Sequence, residues 1–471
     1  MDKVKYKYTI GDKLSFLKQP RELAPKRQAE SRTSDFLEIY HTKNESDLVI
    51  QADRCLDCGN PYCEWKCPLH NYIPDWLDLV ANQKFDQAAT LMHQTNPLPE
   101  ICGRVCPQDR LCEQACTLNT GLGAVTIGEI EKTIADKAID NNWRPDLSRV
   151  IPTGNKVAIV GAGPAGLACA EYLTRKGVQA TVYDKYPEIG GLLTFGIPEF
   201  KLEKQILVKR KKYLEDIGVE FVLKTEIGKD ISIDDLDCQY DKVFLGMGTY
   251  KAVDGMLPGR ELNGVIAALD YLIGNINQQQ NYQMMNRPYH DFNNKNVVVL
   301  GGGDTAMDCV RSAIRQKAKT VTCVYRKQEL DMPGSKTEVN NAKQEGVRFI
   351  FNLQPVEIVS NKDNSVTSVV CERTDFDELK YKDKQVVIKA DSVIIAFGFS
   401  ANPSEWFTKA GINTHDSGLI STDENSLKTT AKNIYAGGDM VSGADLVVTA
   451  IAQGREAAKQ IFDELINENL D

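Results

Sequence analysis

Two stretches of the chain carry the same order of apolar and polar positions. "KVAIVGAGPAGLACAEYLTRKGVQATVYDK", residues 156 to 185, runs from a β-branched segment through a glycine-rich turn into a helical stretch, then a second apolar segment ending at Asp184. "NVVVLGGGDTAMDCVRSAIRQKAKTVTCVYRK", residues 296 to 327, repeats that layout. Each predicts a βαβ unit. Upstream the period changes: "IPDWLDLVANQKFDQAATLMHQ" and "VTIGEIEKTIADKAIDNN" place apolar residues at helical spacing. "RPDLSRVIPTGN" reads as a linker between the two textures, and the Asn- and Gln-rich "NINQQQNYQMMNRPYHDFNNK" as a surface excursion before the second unit. The expected class is α/β, with a mainly helical domain over 1–148 ahead of strand-and-helix parts over 149–290, 291–400 and 401–471.

Composition changes this picture little. The 471 residues suffice for roughly three domains, and 42% apolar with 26% charged residues is globular. A net charge of −9 with scattered cations gives no support to nucleic-acid or anionic-membrane binding. The opening "MDKVKYKYTIGDKLSF" holds no apolar run of signal-peptide length, and no later stretch approaches a membrane span, so a cytoplasmic protein is expected.

The glycine turns carry the first chemistry. Gly161, Gly163 and Gly166 form G-x-G-x-x-G around Pro164 and Ala165. The first glycine permits the tight turn, the second admits a pyrophosphate, and the third lets helix and strand pack closely. Asp184 stands where a carboxylate accepts hydrogen bonds from a ribose. In the second unit Gly301, Gly303 and Ala306 keep the spacing around Asp304 and Thr305. Its second strand ends in Arg326 and Lys327 instead of an acid, which predicts NADP(H) through the 2′-phosphate.

Cysteine carries the second. Eight of the thirteen cysteines fall between Cys55 and Cys116. They read C-x2-C-x4-C-x3-C-P (Cys55, Cys58, Cys63, Cys67) and C-x3-C-P-x4-C-x3-C (Cys102, Cys106, Cys112, Cys116). A reducing compartment argues against disulfides. Structural zinc and iron–sulfur clusters both use such thiolates. The density of the runs and the proline after the fourth cysteine favour clusters, and a hydride-collecting chain without a redox dithiol needs a one-electron exit. Two 4Fe-4S clusters supply it.

The layout resembles the flavoproteins with two dinucleotide-binding domains. The matching motifs are "EIGG" (188–191), "VFLGMGTY" (243–250), "VIIAFGF" (393–399) and "NIYAGGDMVSGADLVVTAIAQGREAA" (433–458). The resemblance implies FAD in the first unit, with Gly190, Gly191, Leu192, Gly437, Gly438, Asp439 and Thr449 joining its site, and NADPH in an inserted second one. The whole chain, through "RCLDCGNPYCEWKCPLHNYIPDW", "CGRVCPQDRLCEQACTLN" and "MPGSKTEV", resembles the NADPH-dependent glutamate synthase small (β) subunits, and its layout also the N-terminal part of dihydropyrimidine dehydrogenases. That implies crossed ligation: Cys55, Cys58, Cys63 and Cys116 for one cluster, and Cys67, Cys106 and Cys112 for the other, with Glu131 or Cys102 as its fourth ligand. It further implies an electron-input subunit working with a large (α) subunit in a hetero-oligomer that turns L-glutamine and 2-oxoglutarate into two L-glutamate. No catalytic acid, base or nucleophile is expected, since none of the five histidines lies in a catalytic motif. The competing readings are a related NADPH oxidoreductase serving ferredoxin or a sulfur acceptor, and a non-redox zinc scaffold.

Overall fold

The computed structural model describes residues 14–282, 287–375 and 383–468. Up to Asn155 these residues form helices and loops, with a single isolated bridge between Lys26 and Tyr40. The helical spacing resolves into helices Ile73–Ala81 and Phe85–Thr95, broken where Gln83 takes φ 59°, and the helix Ile127–Asp140. Their apolar faces close on Trp76, Leu77, Met92, Ile130 and Ile134.

Beyond the linker, strands appear in the order β1 (Lys156–Val160), β2 (Gln179–Asp184), β3 (Glu220–Leu223), β4 (Lys242–Leu245), β5 (Lys251–Ala252), β6 (Val265–Ala267), β7 (Asn296–Leu300), β8 (Thr320–Val324) and β9 (Arg348–Ile350). They continue as β10 (Leu353–Ser360), β11 (Val366–Arg373), β12 (Gln385–Lys389), β13 (Ser392–Ile395), β14 (Phe399–Ser400) and β15 (Ile434–Ala436). Two five-stranded parallel sheets result, β15-β4-β1-β2-β3 and β6-β13-β7-β8-β9. Each carries a βαβ unit at its centre, and each switches direction beside that central strand. Ligands of such sheets bind at the carboxyl ends of the strands at this switch. The first sheet is interrupted between β4 and β15 by the whole second unit, so the first domain is discontinuous.

Two expectations are corrected. The second unit starts before residue 291, because β6 pairs in parallel with β13 and so belongs to the second sheet. The surface excursion also begins later than expected. Residues 275–280 close the helix Ala268–Gln280, and Asn275, Ile276 and Asn277 are buried against the second unit. Residues 283–286 of that segment, and residues 1–13 of the chain's opening, lie outside the described residues. Among the described residues no helix is long and apolar enough to cross a membrane.

The helical domain is not a separate bead. Leu98, Ile101 and Cys102 share a core with β1 and the helix Pro164–Arg175. A fully buried ion pair, Arg210 Nη2 to Glu100 Oε2 at 2.5 Å, ties the helix Pro99–Val105 to the helix Lys204–Asp216 of the first dinucleotide unit.

Candidate cofactor sites

A cavity of about 810 Å³ lies at the switch point of the first sheet. Gly161, Gly163, Pro164 and Ala165 line it from the turn after β1. Gly161 has φ +107°, and a Cβ there would stand 2.5 Å from the Gly246 carbonyl, so only glycine serves. Asp184 lines the cavity at the end of β2. Its carboxylate accepts from the Ala162 N–H at 2.7 Å and the Tyr186 N–H at 2.9 Å, which leaves lone pairs for a ribose. Burial raises its pKa, against those backbone donors.

The later motifs converge here. Gly191, Leu192, Gly437, Gly438 and Asp439 line the same cavity, and burial lifts the Asp439 carboxyl to about 6. Three expected residues stand back from the wall. Gly166 packs the helix on the Gly161 carbonyl, Gly190 donates its N–H to Ala162 O at 2.7 Å, and Thr449 spends its hydroxyl on Leu446 O at 2.6 Å. Sequence reading missed Lys201 and Asp308, which line the cavity as an ion pair at 3.3 Å where the two dinucleotide units meet. Burial raises Asp308 to about 6 although Lys201 opposes it. Lone charged residues outside a motif give no signal in one sequence.

A volume of this size, glycine backbone on one side and a ribose-facing carboxylate fit a dinucleotide such as FAD. The second unit reaches the same cavity through Asp304 and Thr305. Gly301, at φ +141°, is held against the Ala396 carbonyl, whereas a Cβ on Gly303 would meet open space, the place a pyrophosphate takes. Ala306 is buried under the turn. Arg326 and Lys327 are exposed at the end of β8, their carbonyls held by Thr374 and Asn352. That fits a 2′-phosphate entering from solvent.

The eight cysteines sort into two sets. Cys55, Cys58, Cys63 and Cys116 line one small cavity, roofed by Pro61 and Tyr62 and floored by Leu77 and Val125. Cys67, Cys102 and Cys106 pack against the core of the first sheet, with Cys112 between the two sets, close to both Cys63 and Cys67. Among the described residues no three such side chains converge as they would on one ion. The outer four stand around a volume. Burial pushes Cys55, Cys63 and Cys67 up to about 12, so they ionise only against a bound cation. Glu131, on the helix Ile127–Asp140, is buried among the inner set. Its Oε1 accepts from Asn71 and Asn96 at 2.9 and 3.0 Å, and burial lifts it to about 8. Dense soft donors with a charge-demanding environment fit iron–sulfur clusters.

Comparison with known proteins agrees with this geometry. Residues 32–143 match the family described as dihydropyrimidine dehydrogenase domain II, 4Fe-4S cluster, and residues 155–454 the pyridine nucleotide-disulphide oxidoreductases. The solved structure of FprA from Mycobacterium tuberculosis in complex with NADPH shares the fold, at TM-score 0.56 and 18% identity, over 68% of this chain and 86% of that one. The Escherichia coli (strain K12) chain named oxidoreductase AegA is 50% identical over 93% of this chain and 68% of its own length. The Azospirillum brasilense glutamate synthase [NADPH] small chain is 41% identical over 95% of both chains. The E. coli (strain K12) glutamate synthase [NADPH] small chain is 52% identical over 96% of this chain and 98% of its own. Matched at this identity over nearly the whole length of both chains, with the two family models in the same order along it, this chain belongs to the glutamate synthase [NADPH] small-chain family.

Proposed function

We propose that this chain is the electron-input subunit of a glutamate synthase. It takes reducing equivalents from NADPH at the second unit and delivers them, through the cysteine domain, to a large subunit that converts glutamine and 2-oxoglutarate to glutamate. The observation that carries the reading is the order of its sites. Val105 lines the dinucleotide cavity, and the next residue is Cys106 of the inner set. Cys112 stands between inner and outer, and the outer set lies under the exposed ring of Tyr62, on which Trp65 packs edge-on. The sites thus follow one another, neighbour to neighbour, from the nucleotide cavity towards the surface.

When bound, FAD would supply the exchange between two-electron and one-electron transfer and 4Fe-4S clusters the one-electron relay, chemistry that belongs to the groups themselves. The chain's own work is binding and orientation. The Gly161 turn and Asp184 hold one dinucleotide, Arg326 and Lys327 select the phosphorylated form of the other, and Asp308 with Lys201 fixes the junction between them. Cys55, Cys58, Cys63 and Cys116 hold the outer cluster. Cys67, Cys106, Cys112 and Glu131 hold the inner one. Glu131, an oxygen donor buried among these thiols, is taken as the fourth ligand in place of Cys102, whose Sγ is turned to Asn96 Oδ1 at 3.7 Å.

The relative AegA, similar over most of this chain, favours a second reading in which the same input module serves another acceptor. Anaerobic co-purification followed by NADPH oxidation assays separates the two. A large partner chain and dependence on both glutamine and 2-oxoglutarate support the first reading. Turnover with another acceptor and indifference to those substrates overturn it.

A further inference from the structure

The loop between Cys106 and Cys112 belongs to the helical domain in sequence, yet it docks on the second dinucleotide unit. Asp109 accepts from Ser335 Oγ at 3.2 Å and from the Lys336 N–H at 2.9 Å, so it caps the helix Lys336–Gln344 from another domain. Beside it, Arg110 donates through Nη2 to Asp304 Oδ2 at 3.2 Å and through Nη1 to the Pro333 carbonyl, while its Nε is buried without a hydrogen-bond partner. Asp304 in turn accepts the Ser335 N–H at 2.9 Å, and the Gly334 N–H reaches the Gly302 carbonyl at 3.0 Å. The cysteine loop is therefore fastened to the glycine turn itself.

Asp304 opens the twelve-residue helix Asp304–Arg315 and lines the main cavity. A carboxylate in that first turn is favoured by the helix dipole while the site is empty of anions. The phosphates of a dinucleotide bring like charge to the same place. Some cation has to cancel the carboxylate, and among the described residues Arg110 is the cation paired with it.

We propose that Arg110 is a positioning residue of the nucleotide site: it holds Asp304 and cancels its charge at the phosphate end, so the loop between two cysteines of the inner set forms part of the NADP(H) site. This rests on the reading of the second unit as that site. The same loop that carries Cys106 and Cys112 then senses nucleotide occupancy, because a contact that favours nucleotide binding is itself favoured by the nucleotide.

The test is calorimetric titration of the anaerobically purified holoprotein with NADP⁺, after iron and sulfide content is matched across variants. Arg110→Gln is expected to weaken NADP⁺ by about tenfold, the effect of one uncompensated charge beside a bound anion. Asp304→Asn alone is expected to bind at least as tightly as the parent, and the double variant R110Q/D304N to return to parental affinity. A loss of mere structure would not be repaired by a second substitution. The proposal is overturned if R110Q binds like the parent, if the double variant binds as weakly as R110Q, or if D304N alone weakens binding. Should R110Q lose iron, the D304N arm decides in the same terms, since it lies outside the cysteine loop. A parent that holds its flavin and clusters yet binds no NADP⁺ would overturn the nucleotide reading instead.

Discussion

At the scale of single residues, the geometry separates side chains that a motif treats alike. Thr449 and Gly190 sit in the right motifs but support the cavity from behind, while Asp184 and Asp439 face it. A motif records spacing along the chain, and only the fold decides which side chains reach the wall. Arg326 stands out in the sequence because a cation replaces an acid at one defined strand end. Arg326→Ala is expected to raise the Kd for NADP⁺ by about tenfold to a hundredfold, the worth of hydrogen bonds to a charged group, and to leave NAD⁺ binding unchanged. Equal losses for both nucleotides would remove the 2′-phosphate from its role. Glu131 and Cys102 give a second contrast. Cys102→Ser is expected to keep the full iron content, and Glu131→Ala to lose the inner cluster, both read by iron and sulfide analysis.

At the scale of elements, the helix Pro99–Val105 is the joint of the molecule, since its end touches both the dinucleotide cavity and the inner cysteines. Its anchor is the buried pair of Glu100 and Arg210. Glu100→Gln leaves the guanidinium buried without its counter-charge, and a loss of about 3–5 kcal/mol in stability is expected from thermal or denaturant unfolding. His93 is packed behind this pair. Its ring lies 4.4 Å from Trp143 and its Nε2 3.4 Å from Arg210 Nη2, with Arg175, Tyr213 and Glu171 close by. Burial, then the Arg210 charge, lowers its pKa from 6.5 to about 3. Between those values the unfolded chain binds a proton that the folded one does not, so this contribution destabilises the fold as pH drops below about 6.5. The melting temperature of His93→Gln is expected to fall less than that of the parent between pH 7.5 and pH 5.5. An equal fall would contradict the assignment. None of this joint was legible beforehand. The helical periods of Phe85–Thr95 and Ile127–Asp140 were plain, but which helix faces another domain depends on contacts between residues far apart in sequence.

At the scale of the whole molecule, the two glycine-rich βαβ units and the cysteine runs were legible because each compresses its chemistry into a short segment. The start of the second unit was hidden, since β6 is three residues long and joins a sheet whose next strand lies beyond a long helix. The N-terminal segment 33–47 is used partly within the chain. Tyr40 accepts from Asn341 Nδ2 at 3.2 Å, and just before it the fully buried Arg32 pairs with Glu345 at 3.0 Å. Electron flow follows from this architecture. Cys58→Ser is expected to remove the outer cluster alone, so that NADPH still bleaches the flavin while transfer to the partner is lost. The central claim is that one chain holds a nucleotide site, a flavin and two clusters in electronic contact. Anaerobic titration of the purified protein with NADPH, followed by visible absorbance against a measured iron content, tests it most directly. The account predicts about eight irons and eight sulfides per chain, for two four-iron clusters, with flavin and iron–sulfur bands bleaching together on NADPH and far more slowly on NADH. A colourless zinc protein, or bands that NADPH leaves unchanged, would contradict it.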